Sequence, residues 1–154
     1  LVRDEELAKK YEDGTCLVFR LCVHHYHRYA YPDNGRKTKN TFIPGVLHTV
    51  RPVALRELPV FTENAREYTV LRSENFGDVL QMEVGAMLVG KIDNYHQEAD
   101  VRRGQEKGRF LYGGSTIILL LEPGTAAVTE KFFEATRAGE ETEVKMGEAI
   151  GRRG

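Results

Sequence analysis

The sequence predicts a mainly β (α+β) fold: a compact barrel or sandwich of short strands with tight glycine corners and minor helix. Three observations predict it. Short β-branched and aliphatic runs recur along the chain, glycines recur between them at Gly85, Gly90, Gly104, Gly108, Gly113 and Gly114, and turn clusters separate them, Tyr31-Pro32-Asp33-Asn34-Gly35 and Pro44-Gly45 among them. Glycine permits bends that a side chain would block, and proline, asparagine and aspartate favour chain reversal for separate stereochemical reasons.

Taken in order, Asp4 to Tyr11 has weak helical character, and Thr15 to Val23, rich in Cys, Leu, Val and Phe, suits a buried strand. Strand geometry in the segment that follows would put His25 and His27 on one face and His24 on the other. Arg36 to Asn40 reads as an exposed basic loop. Val46 to Val50 reads as a short strand containing His48, and Pro52 and Pro59 bracket a connector with room for one helical turn. Glu67 to Ser73 and Asp78 to Val84, separated by Glu74-Asn75-Phe76-Gly77, have the arrangement of a β-hairpin. Thr116 to Glu122 is the most hydrophobic strand and Pro123-Gly124 closes it. Thr129 to Ala138 fits a short helix or a strand, and Thr142 to Met146 an edge strand.

A length of 154 residues fits one domain, and 41% hydrophobic content is enough for a single core. The chain starts at Leu1 and enters a polar segment directly, which reads as the interior of a longer protein whose N-terminal part is missing. With 22 Lys and Arg against 23 Asp and Glu, the net charge of -1 provides no global attraction to nucleic acid or to an anionic surface. An anionic partner has to be held by a local site, and no nucleic-acid partner is expected. Cys16 and Cys22 would lie roughly 20 Å apart along one strand, too far to bridge. With no signal peptide in view, reduced thiols in a cytoplasmic setting are expected. The longest aliphatic run, Ile117 to Leu121, is far shorter than the roughly 20 residues that cross a bilayer.

Gly113-Gly114-Ser115-Thr116 ahead of a hydrophobic strand is, on its own, most simply a hairpin turn. The chemical alternative is self-cleavage of the Gly114–Ser115 bond. That needs a serine hydroxyl beside the preceding carbonyl, a small residue there so that the backbone bends, and donors for an oxyanion. His24, His25 and His27 invite a metal reading, but no acidic or cysteine partner has ligand spacing, and no metal is expected. A polar strand end beside an active site suits the segment better, with His27 as a proton donor or acceptor and Arg28 as a carboxylate or phosphate partner. His48 in an apolar run is ordinarily a satisfied structural histidine, and His96 is expected to be exposed. Asn64 and Arg66 fit a helix cap and a surface charge, or equally an anionic head-group site.

The order and wording of these stretches together resemble the phosphatidylserine decarboxylase family. The matching blocks are Tyr26-His27-Arg28-Tyr29, Pro44 to Val50, Phe61 to Arg66, Glu83 to Gly90, Gly104 to Phe110 and Gly113 to Thr116, within a similarity that runs from about Leu7 to about Gly151. The resemblance implies a pyruvoyl-dependent carboxy-lyase of phospholipid biosynthesis, made as a zymogen, that converts phosphatidylserine to phosphatidylethanolamine. The Ser115 hydroxyl would attack the Gly114 carbonyl, and the ester would resolve to leave a covalent pyruvoyl group at residue 115. Autocatalytic cleavage would give a β subunit, 1–114, and an α subunit, 115–154, which remain paired, with a homo-oligomer also allowed. The implied catalytic residues are Ser115, His48 and His27, and the implied substrate-binding residues Arg28, Asn64 and Arg66. A peripheral position at the cytoplasmic face of the cell membrane follows from the lipid substrate.

Two departures from the family pattern stand out. The second histidine of its His-Arg-x-His pattern falls on Ala30, so His48 is the candidate base for Ser115. The upstream Ser-Pro-Ala-Asp-Gly-type segment, whose aspartate orients the histidine in the family, is absent from these residues, so inefficient processing is expected of the 154-residue piece alone. The competing readings are an inactive β-barrel module that binds lipid or protein, and a decarboxylase acting on archaeal serine lipids.

Overall fold

A computed structural model describes residues 1–57, 59–87, 91–111 and 115–154. The first half of the chain builds α1 (Glu5–Lys9), β1 (Thr15–Leu21), β2 (Arg28–Ala30), β3 (Gly35–Lys37), β4 (Thr41–Ile43), α2 (Pro52–Glu57), α3 (Val60–Glu63), β5 (Arg66–Ser73) and β6 (Gly77–Val84). The second half builds β7 (Lys91–Asn94), β8 (Ala99–Val101), β9 (Glu106–Leu111), β10 (Ser115–Leu121), β11 (Ala126–Val128), α4 (Glu130–Arg137) and β12 (Gly151–Arg153). One sheet has the order β1-β10-β6-β5-β3-β8, with β4 also paired to β5. A second has the order β2-β9-β7, and β11 pairs with β12. The described pairings between strands are antiparallel, which agrees with the mainly β expectation.

Alternation along the strands divides the core between the two faces of the large sheet. Leu17, Leu71, Val79, Ile117, Leu119 and Leu121 pack on the side of the small sheet, with Tyr29, Tyr31 and Phe110. Tyr68, Leu80, Met82 and Ile118 face the other way and are covered by Val2, Leu7 and Tyr11 of the N-terminal segment. Burial of each such side chain contributes about 1.5–3 kcal/mol. The register of β10 between β1 and β6 therefore determines which residues meet which layer. Slipping it by one residue would exchange the two sets.

The inward face also carries charge. Lys107 Nζ donates to Glu83 Oε2 at 2.5 Å and to Asn94 Oδ1 at 2.8 Å, with both ionic side chains fully buried. The amide of Asn94 donates to Glu67 and Glu83, and the Tyr29 hydroxyl donates to Asn94. Burial raises the pKa of Glu83, opposed by Lys107. Lys37, also buried, is lowered to about 8 by burial and then by the Lys107 charge.

The hairpin of β5 and β6, the helical turns between Pro52 and Pro59, and the helical option for 129–138 all form. Gly77 closes the hairpin at φ +67°, a conformation side chains resist. Five local expectations do not hold. Val46 to Val50 is not a strand: after a single bridge from Val46 to Asn64, the His48 N–H and C=O are taken by the Asn64 side chain. Residues 22–27 form a turn, because the Cys22 N–H donates to His25 Nδ1 and the His25 N–H to the Cys22 carbonyl. The basic loop is in part strand β3, which inserts between β5 and β8 and buries Lys37 against Asn40 and the His96 carbonyl. His96 is half-buried, bonded to the Tyr31 hydroxyl. Thr142 to Met146 does not pair; Lys145 and Glu148 close a local turn, and the strand forms later, at β12.

Candidate active site

Five residues lie side by side across one end of the sandwich. Leu21 is opposite Ser115 in the β1–β10 ladder, and Thr116 is opposite Val84, which sets Gly85 beside Ser115. The Gly85 N–H donates to Ala65 and the Ala65 N–H to Val46, both at 2.9 Å. Loops 22–27 and 46–51 and residues 85–87 therefore gather around the start of β10.

Ser115 is fully buried, and among the described residues its hydroxyl has no hydrogen-bond partner. The neighbouring Thr116 hydroxyl and His27 Nε2 are likewise buried and unpartnered. A buried polar atom left alone costs about 1–3 kcal/mol; Tyr11, Gln81 and Glu83 carry others among the described residues, and these three gather at the β10 start. The His27 carbonyl accepts from the Phe110 N–H at 2.9 Å, which ties the histidine to β9. Its ring Nδ1 lies 2.7 Å from the His25 carbonyl. A carbonyl only accepts, so Nδ1 carries the hydrogen and the neutral ring presents a lone pair at Nε2.

His48 is held at both of its backbone groups. Asn64, fully buried, accepts from the His48 N–H at 2.8 Å and donates to the His48 carbonyl at 2.8 Å and the Gly85 carbonyl at 2.7 Å. The Met87 N–H adds a bond of 3.2 Å to the same His48 carbonyl. Gly45 makes this approach feasible, since a Cβ there would sit 2.1 Å from the Glu63 carbonyl oxygen. The His48 ring meets Glu63, with Nε2 3.0 Å from Oε2.

The three residues expected at the head group are placed differently from one another. Arg28, 40% exposed, pairs with Glu106 and donates to the Tyr95 hydroxyl at 3.1 Å; the Glu106 contact raises its pKa. Arg66 is buried beneath the N-terminal segment, its Nε donating to the Leu1 carbonyl at 2.7 Å and a second nitrogen to the Asn64 carbonyl at 2.9 Å. Burial, then the Arg3 charge, lowers its pKa. Asn64 spends its amide on the His48 loop. Gly114, the expected scissile carbonyl, lies outside the described residues, as does Gly113. Among the described residues no group of three or more His, Cys, Asp or Glu could hold a metal ion, and no helix is long and apolar enough to cross a membrane. Cys16 and Cys22 are free thiols.

A sequence model of the family described as phosphatidylserine decarboxylase matches residues 1–152. The chain belongs to the phosphatidylserine decarboxylase family. Among similar curated proteins, the phosphatidylserine decarboxylase proenzyme 2 of Clostridium acetobutylicum is 49% identical over 151 residues, covering 98% of this chain and 52% of that protein. The phosphatidylserine decarboxylase proenzymes of Clostridium botulinum strain Hall and of Clostridium tetani are 44% and 41% identical over 98% and 99% of this chain, and 52% of each relative is covered. The chain thus spans about half the length of these decarboxylase relatives. No solved structure matches it.

Glu63 was not singled out in the sequence. It sits inside the Phe61 to Arg66 block that carried the family resemblance, but nothing in that wording marks it as a partner of His48 fifteen residues earlier. The inward charges Glu83 and Lys107 were also missed. Strand alternation marks Glu83, which shares a face with Gln81 and Val79 in β6.

Proposed function

We propose that this chain is the self-cleaving part of a phosphatidylserine decarboxylase, with Ser115 as the nucleophile. The observation that carries the reading is the buried, unpartnered Ser115 hydroxyl at the first residue of a central strand, immediately after Gly114. A structural serine in that position would ordinarily be hydrogen-bonded.

In the proposed reaction Ser115 Oγ attacks the Gly114 carbonyl carbon and gives up its proton to His48. The bond from that carbon to the Ser115 nitrogen then breaks, the nitrogen takes a proton, and an ester joins the two pieces. Loss of the Ser115 α-proton expels the Gly114 carboxylate, and hydrolysis leaves the pyruvoyl group with release of ammonia. The buried Ser115 hydroxyl, free of partners among the described residues, marks the position where that small group would sit. Once formed, it would supply an electron sink for decarboxylation of an amino-acid head group. His27 Nε2, with a lone pair facing the protein interior, holds or returns a proton near residue 115. Arg28, a part-exposed cation paired with Glu106, would turn to the anionic head group, while Asn64 and Arg66 support the site from beneath by holding the His48 loop.

The subunits 1–114 and 115–154 stay joined because β10 lies between β1 and β6, with seven register pairs to one and five to the other. Membrane contact and a peripheral position at the cytoplasmic face are part of the same proposal. Exposed Val23, Tyr26, Leu47, Val53 and Met87 surround the Ser115 end of the sandwich, where an apolar rim would meet lipid. The free thiols suit a reducing compartment.

Intact mass of the full-length protein, followed by pelleting with phosphatidylserine vesicles, tests the reading. The expected result is a break between residues 114 and 115, a C-terminal piece whose first residue has lost its amine, and release of carbon dioxide from the vesicles. A single uncleaved mass with no carbon dioxide would leave the inactive binding module as the surviving reading.

A further inference from the structure

The contact between His48 and Glu63 reaches beyond the assignment of His48 as base. The two residues belong to different segments, the loop after Gly45 and the end of α3, and two separate devices bring them together. Asn64, next in sequence to Glu63, clamps the His48 backbone at both its N–H and its C=O. Gly45 lets that loop close on the Glu63 carbonyl, and the Val46 N–H donates to it at 3.0 Å. The loop and the helix end are thus one rigid unit, and within it the Glu63 carboxylate reaches the His48 ring at 3.0 Å.

The chemistry of that contact assigns the ring. A carboxylate only accepts, so Nε2 is the protonated nitrogen and Nδ1 keeps the lone pair that takes up a proton. When the ring becomes positively charged, the same carboxylate stabilises it. We propose that Glu63 is the positioning carboxylate of His48, selecting the tautomer that accepts the Ser115 proton and steadying the imidazolium that results. This inference rests on the reading of His48 as base for self-cleavage.

Both side chains are partly exposed, 37% for His48 and 44% for Glu63, so water screens the pair and a moderate effect follows. The test compares self-cleavage of newly made full-length protein carrying Glu63→Gln, Glu63→Asp or His48→Ala, followed on denaturing gels across pH 5 to 9. Glu63→Gln is expected to slow cleavage roughly 10- to 100-fold, because the ring loses the carboxylate that fixes its tautomer. Glu63→Asp should recover part of the rate, and Tm should be unchanged in both, since neither residue is buried. A Glu63→Gln protein that cleaves at the normal rate at every pH tested, while His48→Ala does not cleave, overturns the role of Glu63 alone. Normal cleavage by His48→Ala overturns the base assignment itself, and Glu63 with it.

Discussion

The two ends of the sandwich are made of similar residues and treat them in opposite ways. At the end away from Ser115, the Asp33 carboxylate is 1% exposed and accepts from Ser73 Oγ at 2.6 Å, from the Asn75 N–H at 3.1 Å and from the Asn75 amide, with Arg103 also at 3.1 Å. Ser73 Oγ accepts in turn from the Phe76 N–H at 3.0 Å. Burial alone would raise the Asp33 pKa, but the bonds from Ser73 and Asn75 outweigh it and hold the group below 3.8. At the other end the Ser115 and Thr116 hydroxyls and His27 Nε2 are just as enclosed and bond to nothing. The Asp33 cluster spends its polar atoms on closing turns, although the Tyr11 hydroxyl beside Asp78 at the same end is also without a partner among the described residues. The three at the Ser115 end stay uncommitted, at a cost of about 1–3 kcal/mol each, as the proposed chemistry there would require.

Ser115→Ala should break the comparison most completely. It removes the proposed nucleophile, so the full-length protein is expected to remain one uncleaved chain on a denaturing gel with no decarboxylation. Cleavage in this variant would move the reaction to another residue.

Asp33→Ala should act in the reverse sense. It strands the Ser73 hydroxyl and the Asn75 N–H and is expected to cost about 1–3 kcal/mol in urea unfolding while self-cleavage continues. The pH dependence has a definite sign. The folded pKa is depressed, so the stability from this carboxylate is fully present above 3.8 and is lost as pH falls through the lower folded value. Asp33→Asn should flatten that acid limb. An unchanged limb would mean that other carboxylates set it.

Much of the fold was legible because its signals are local. The β5–β6 hairpin could be read from two apolar runs around Glu74 to Gly77, and β10 from its uninterrupted aliphatic residues. The failures share a cause: side chains satisfying backbone groups in place of a ladder. Asn64 replaces a strand partner for His48, and His25 Nδ1 turns the chain at Cys22, both over distances that periodicity does not register. At the site, Ser115 and the two histidines could be picked out by wording. Their hydrogen-bond states could not, because whether a hydroxyl is alone or an imidazole faces a carboxylate depends on which loops meet at the end of the sandwich.

The finest test pairs two hydroxyl deletions of nearly equal size. Thr116 and Ser73 are both short hydroxyl residues in the large sheet, at opposite ends of it, and Thr116 is not the proposed nucleophile. It pairs with Val84 and Arg20 and faces the layer opposite Ser115. Thr116→Val keeps the shape and removes a buried hydroxyl that makes no bond, so it should leave cleavage intact and be neutral or stabilise by up to about 1 kcal/mol. Ser73→Ala removes a hydroxyl that donates to Asp33 and accepts from Phe76, and should cost about 1–2 kcal/mol. The opposite signs follow from partner count: Thr116, though fully buried, makes no hydroxyl bond among the described residues, whereas the half-buried Ser73 makes two of those bonds. A Thr116→Val protein that loses more than about 1 kcal/mol would show that its hydroxyl is bonded in solution, and would take away part of the contrast between the two ends.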